Sequence, residues 1–308
     1  MSTSRKKKPD TYHALLSEEI FDYVNAILES SEDRDEKEIK RIIDTVMHLP
    51  IEKIRKKVKM TPRLEAKQLM YRAYEEPEQE GRKLAQKALE IYPDCVDAYI
   101  YYGDISEDAG EATAWYQKAV KAGERDVGEQ HFRESVGHFW GINVTRPYMR
   151  ARDKYAYALH RMGHDAEAIA EYQDMLRLNP GDNQGIRFEL APLLLLCHRY
   201  KEYYQLFTQF EKDVTFGWLY TYFLYSFIKY GGVRRTQEIL LEAVSHNPHI
   251  IEVLCSDREF PEKLSDYYSF GDEDEAYHYV ESTLPMWLAF PKALKFLFNF
   301  YRQSQDLN

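Results

Sequence analysis

Met149 to Asp182, MRARDKYAYALHRMGHDAEAIAEYQDMLRLNPGD, leaves fewer folds open than any other stretch of this 308-residue chain. Ala156 and Leu159 lie one helical step apart on a first helix that Gly163 ends. Ala168, Tyr172 and Met175 form an i, i+4, i+7 stripe on a second helix, which Asn179-Pro180-Gly181-Asp182 stops. The pattern sets small residues where two helices cross closely and an aromatic side chain in the gap between them. A hairpin of this kind cannot bury its apolar stripe alone, so it predicts further copies stacked beside it.

This spacing resembles the 34-residue tetratricopeptide (TPR) repeat. Four more pairs are predicted: Leu64 to Tyr74 with Arg82 to Ile91, Val96 to Asp108 with Glu111 to Ala122, Gln184 to Leu196 with Lys201 to Phe210, and Trp218 to Tyr230 with Arg234 to Ser245. Pro93 and Pro248 repeat the role of Pro180. The resemblance implies an all-α fold, a TPR-type α-solenoid of antiparallel helix pairs with helical N- and C-terminal caps. It also implies a scaffold that holds another molecule.

The expected organisation is a disordered basic tail at 1–10, a helical N-terminal cap at 11–60, a TPR-like solenoid at 61–248 and a C-terminal loop with capping helices at 249–308. The cap carries two helical stripes, Leu15, Leu16, Ile20, Val24 and Ile27, then Ile39, Ile42, Ile43, Val46 and Met47. At about 123–148 the repeat pattern lapses, and GEQHFRESVGHFWGINVTRPYM reads as an irregular insertion, too aromatic at His138-Phe139-Trp140 for disorder. Leu254 to Tyr268 reads as loop, with Asp272 to Ser282 and Pro285 to Tyr301 as the closing helices.

A narrower likeness lies in segments that depart from the repeat: Phe139-Trp140-Gly141, Thr145 to Arg152, Asn179 to Gly185, Asn247-Pro248-His249, Asp266-Tyr267-Tyr268 and Gly271 to Ala276. These look similar to signatures of a bacterial group of repeat proteins, itself distantly similar to the suppressor-of-tumorigenicity family. That resemblance covers roughly Leu64 to the C-terminus, and implies an all-helical repeat protein without an established reaction. Eukaryotic members look membrane-anchored, whereas no apolar run here approaches the roughly 18 uninterrupted residues of a membrane helix.

A formal net charge of −10 weighs against nucleic acid, because a phosphate backbone demands a continuous basic surface. The basic clusters are local, Arg5 to Lys8 and Lys53 to Lys59. MSTSRKKKPD has no apolar stretch behind it, so a secretory signal is not expected and cytoplasmic residence is the default. Cys95, Cys197 and Cys255 are odd in number, widely spaced and without a Cys-x-x-Cys pair, so they read as reduced and structural.

Stacked TPR pairs turn their first helices towards a concave groove, which makes the outward residues of those helices the expected binding surface. Arg150, Lys154, Tyr157 and Arg161 belong there. Tyr101 and Asp104 join from the preceding pair, Arg187 and Phe188 from the next, and Trp218, Tyr222 and Tyr225 from the last. Tyrosine, tryptophan and arginine are the side chains that make binding hot spots. For any single tyrosine, a gap-filling role between helices is the competing reading. A carboxylate clamp of Lys, Asn and Arg is not matched, since Asp153 and Tyr157 stand where that motif wants Lys and Asn.

Arg146, Arg150 and Arg152 form the densest arginine group, read as an anion site or, preferably, as an ion-pair network with Asp272 to Glu275. No metal site, cofactor or catalytic residue is expected. His160 and His164 are separated by the helix-ending Gly163, and no His-Glu-x-x-His, phosphate loop or nucleophile elbow occurs. The leading expectation is a non-enzymatic protein- or peptide-binding scaffold. The rival is an enzyme or ligand-binding subunit whose pocket forms where the 138–152 segment meets the repeats, and a third possibility is nucleic-acid binding through the two basic clusters.

Overall fold

The computed structural model describes residues 18–27, 35–47, 53–54, 56, 58–256 and 259–305. Every regular element among them is helical. The tail at 1–10, with Arg5 to Lys8, lies outside the described residues. The chain divides into two compact units, Met1–Asn183 and Gln184–Asn308.

The first unit opens with α1 at 18–27 and α2, Glu36–Met47. Three pairs follow: α3, Pro62–Ala73, with α4, Glu78–Ile91; α5, Val96–Asp104, with α6, Ala109–Glu134; and α7, Arg146–Arg161, with α8, Asp165–Leu178. Each first helix packs along its partner, and α7 also packs along α6. Local chemistry sets the starts. The Thr61 hydroxyl accepts the Leu64 amide at 3.2 Å, and Pro62 sits in the first turn, where a missing N–H leaves no bond unmade.

Small residues seat the neighbouring aromatic rings. A Cβ on Gly81 would fall 2.0 Å from the Tyr101 hydroxyl, and one on Gly103 would fall 2.4 Å from the Tyr116 ring. In the third pair Ala156, Leu159, Ala168, Tyr172 and Met175 are all buried, as their spacing predicts.

The expected insertion at 123–148 is corrected. Helix α6 runs on to Glu134 and breaks at Gly128, whose φ of +73° a residue with a side chain adopts only under strain. That break shifts the helical phase, so apolar positions before and after it do not share a face and no continuous stripe is legible. Two 3-10 turns, Phe139–Gly141 and Asn143–Thr145, complete the segment. Phe139 is fully buried there, 5.3 Å from the Phe132 ring and 6.3 Å from the Tyr148 ring.

The second unit pairs α9, Ile186–Leu196, with α10, Tyr200–Gln209, and α11, Trp218–Tyr230, with α12, Arg234–His246. It continues with α13, Pro248–Cys255, α14, Glu273–Ala289, and α15, Pro291–Gln305. Pro248 therefore starts a further helix rather than leading into a fading repeat. Pro285 lies inside α14, and Pro291 opens the last helix instead. The acidic segment does sit at a helix N-terminus. Asp272 caps α14 by accepting the Glu275 amide at 2.7 Å. The buried Glu275 carboxylate accepts from the Phe216 amide at 2.6 Å, the Gly271 amide at 2.6 Å and Asn247 Nδ2 at 2.8 Å.

Candidate functional site

Helix α7 carries Arg146, Arg150, Lys154, Tyr157 and Arg161 at three- and four-residue steps, which places them on one face. The far end of this stripe is open: Tyr157 is 51% exposed and Arg161 is exposed. Lys154 is half-buried, with Nζ 3.3 Å from Asp104 Oδ1. Asp104 also accepts from the Tyr116 hydroxyl at 2.9 Å, so it serves the interior of the pair as well as the stripe.

The near end is closed, and Arg150 is corrected from an open groove residue to a buried one. Its Nη1 donates to Glu18 Oε1 at 2.6 Å and its Nη2 to Asp97 Oδ1 at 2.9 Å. Burial opposes the guanidinium charge, yet the Asp97 and Glu18 carboxylates outweigh it and hold its pKa above the ordinary arginine value. Glu18 belongs to α1, and α1 accounts for the closure. Four residues on, Asp22 Oδ2 accepts from Lys67 Nζ at 2.8 Å and from the Tyr71 hydroxyl at 2.7 Å. Burial and the Asp22 charge push the Tyr71 phenol well above its usual pKa. The fully buried Tyr23 takes a hydrogen bond from Gln68 Nε2 at 2.8 Å. Helix α1 thus joins α3 to α7, the first helices of the first and third pairs.

Sequence reasoning missed Glu18, Asp22, Lys67 and Asp97. One signal was available. Lys67 interrupts the run Leu64, Ala66, Leu69, Met70, Tyr71, all of it buried, and a charge inside an apolar stripe needs a partner.

Within the arginine group, Arg150 and Arg152 are each held in ion pairs with carboxylates of the first unit. Arg152 reaches Glu171, with Nε 2.7 Å from Oε2, and Asp174. Arg146 donates from Nε to the Trp140 carbonyl at 2.9 Å. All of these partners lie in the first unit, while Asp272 and Glu275 hold the backbone ties of the second. Tyr101 is also corrected: it is 3% exposed, its ring edge-on to Tyr74 at 5.0 Å. It fills a gap between helices.

In the second unit, Trp218 is 1% exposed and donates from Nε1 to the Phe210 carbonyl at 3.1 Å, so it too is core. Tyr222 is half-buried and stacks on Phe207 with ring centroids 3.6 Å apart. Tyr225 is buried beneath Tyr204, which is 50% exposed and stacked on it at 5.8 Å. Arg187 is half-buried, pairs with Asp213 at 2.7 Å and lies 4.0 Å over the Phe188 ring. The expected aromatic surface is therefore a stack whose upper edge alone reaches solvent.

A cavity of about 320 Å³ opens in the first unit, lined by Asp22, Arg63, Lys67, Asp126 and His131, with Asn143 and Val144 from the 3-10 segment. Its charges are mutually satisfied: Arg63 grips Asp126 at 2.8 and 2.9 Å, and the Tyr92 hydroxyl donates to Asp126 at 2.6 Å. The turn histidines have carboxylate neighbours, His160 at 2.7 Å from Asp165 and His164 at 3.4 Å from Glu167. Among the described residues no group of three or more His, Cys, Asp or Glu is placed to hold a metal ion.

No family model matches this chain. No curated protein matches it either. Among solved structures it is similar to YrrB, described as a TPR protein with an unusual peptide-binding site, at 18% identity and a TM-score of 0.42. That match covers 58% of this chain and 81% of the other. Among the described residues no helix is long and apolar enough to cross a membrane.

Proposed function

We propose that this chain is a non-enzymatic, cytoplasmic scaffold that binds a protein or peptide on the first-helix faces of its helix pairs. The observation that supports this is α1, a short helix held on α3 and α7 by Asp22–Lys67 and Glu18–Arg150. A face that holds one amphipathic helix through paired charges has the chemistry to hold another. The stripe past α1, Tyr157 and Arg161, combines an aromatic with a cation, the pairing found at binding hot spots. Three free cysteines suit a reducing compartment. The segments that resemble the bacterial repeat group carry capping and tying roles at Asn247, Asp272 and Glu275, which agrees with a scaffold and assigns them no reaction.

The test is a quantitative pull-down comparing wild type with Tyr157→Ala/Arg161→Glu, after circular dichroism shows equal helicity. Arg150 is left intact, because reversing a buried charge would damage the fold itself. Loss of the same partners from the double variant is the expected result. An unchanged partner set would refute a role for this face.

The second reading, an enzyme or ligand-binding pocket involving the 138–152 segment, is supported by the cavity bordered by Asn143 and Val144. A small polar ligand that raises the melting temperature of wild type but not of His131→Ala would favour it.

A further inference from the structure

We propose that α1 is a displaceable internal ligand, and that the face it covers takes an acidic amphipathic helix from a partner protein, with two carboxylates four residues apart and an aromatic beside the second. The proposal rests on the scaffold reading and names the partner's chemistry and the control over its access.

The chemistry is that of the present occupant. Glu18 and Asp22 are one helical turn apart and meet Arg150 and Lys67, and Tyr23 follows to meet Gln68. On the α7 face Arg150 and Lys154 are paired with Asp97 and Asp104, and Arg161 is exposed, so an acidic helix that replaces Glu18 and reaches Arg161 gains charge contacts there. Two features make α1 an imperfect occupant. Arg150 Nε and Glu18 Oε2 are both buried without a hydrogen-bond partner, so the pair is gripped at one point where a guanidinium offers a two-point fork. Tyr157 and Arg161 stay exposed, so a longer helix gains contacts that α1 does not make.

The apolar contacts of α1 are also segregated. Tyr23 and Val24 pack with Ile54, Val58 and Leu64, whereas the adjoining core runs from Ala66 to Tyr101 as a separate cluster. Release of α1 uncovers Leu64 and frees the Tyr71 hydroxyl, while the apolar contacts within the Ala66 to Tyr101 cluster do not depend on α1. Helix α1 belongs to the same chain as the face it covers, so it competes with a partner as an intramolecular ligand. A partner prevails by affinity, or when something else draws α1 away.

The probe is a fluorescein-labelled peptide of residues 12–30 of this chain, titrated by anisotropy into the full-length protein. The full chain carrying Glu18→Lys/Asp22→Lys, with its own helix released, is expected to bind the peptide at least about tenfold more tightly than wild type. Circular dichroism and a thermal melt establish that this variant stays folded. A second variant guards against a trivial failure: Lys67→Glu in the α1-released chain is expected to lose the native peptide and to bind one carrying Asp22→Lys. Equal affinity of wild type and released chain, or no binding by either, overturns the proposal. So does a wild-type dimer that exchanges α1 between copies, seen as a concentration-dependent mass by light scattering. A pull-down that depends on Tyr157 and Arg161 alongside a failed peptide titration would leave the scaffold reading standing without this one.

Discussion

Tyr172 shows what one side chain does in this fold. It is 2% exposed, among the largest fully covered side chains of the fold, on α8. Tyr172→Ala removes a buried ring and leaves a cavity, and should cost roughly 3–5 kcal/mol in urea denaturation. A midpoint shift near zero would mean that the ring is dispensable to the pair. Burial leaves a second mark, on the tyrosine and cysteine titrations. The phenol of Tyr279 is pushed up to about 12, mainly by burial, against the weaker pull of hydrogen bonds such as that to Thr221 at 3.1 Å. An unfolded tyrosine titrates near pH 10. The folded value is the higher one, so the stability tied to this proton is whole below about pH 10 and disappears as pH rises from about 10 to 12. Urea midpoints at pH 9 and pH 11, read beside tyrosinate absorbance, check the sign. By the same physics the thiols of Cys95 and Cys255 are raised to about 12 by burial. Ellman's reagent at pH 8 is expected to label the half-buried Cys197 first, and the other two only on unfolding.

Among elements, the informative contrast is between an ordinary helix cap and a buried tie. Asp272 accepts two nearby amides, Glu275 at the start of α14 and the exposed Ser269, whereas the buried Glu275 gathers three donors from three segments, the approach to α11, the turn before α14 and the α12–α13 junction. Asp272→Ala should therefore cost about 1 kcal/mol. Glu275→Ala strands three donors and should cost about 3–5 kcal/mol. Equal costs would show that water replaces the carboxylate without loss. Helix boundaries follow similar local chemistry. Trp218–Tyr230 begins and ends where its apolar run and Gly231 place it. Helix α6 did not yield to this reasoning, because the backbone turn at Gly128 separates two faces that periodicity alone cannot join.

At the scale of the molecule, a net charge of −10 and cations already committed to buried carboxylates predict no measurable binding to duplex DNA at physiological salt. A retained complex whose affinity falls steeply with salt concentration would contradict that. The helix pairs and the buried places of Ala156, Tyr172 and Met175 were legible in the amino-acid order, because they depend on neighbours three, four and seven positions away. So was the acidic start of α14. The burial of the candidate residues was legible only in part. On α7 Tyr157 and Arg161 are exposed, as their helical phase suggests, yet nothing local revealed that the near end of the stripe is roofed by α1. Glu18 and Arg150 are 132 residues apart, and a charge pair at that separation has no periodic signature. The same limit explains Tyr101, Trp218 and Tyr225. Their residue type and helical phase fit a binding surface and a core equally well, and packing against Tyr74, Phe210 and Tyr204 assigned them to the core. Periodicity prescribes which face of a helix is apolar, but what covers a face depends on contacts between distant segments, and these are settled when the chain closes on itself.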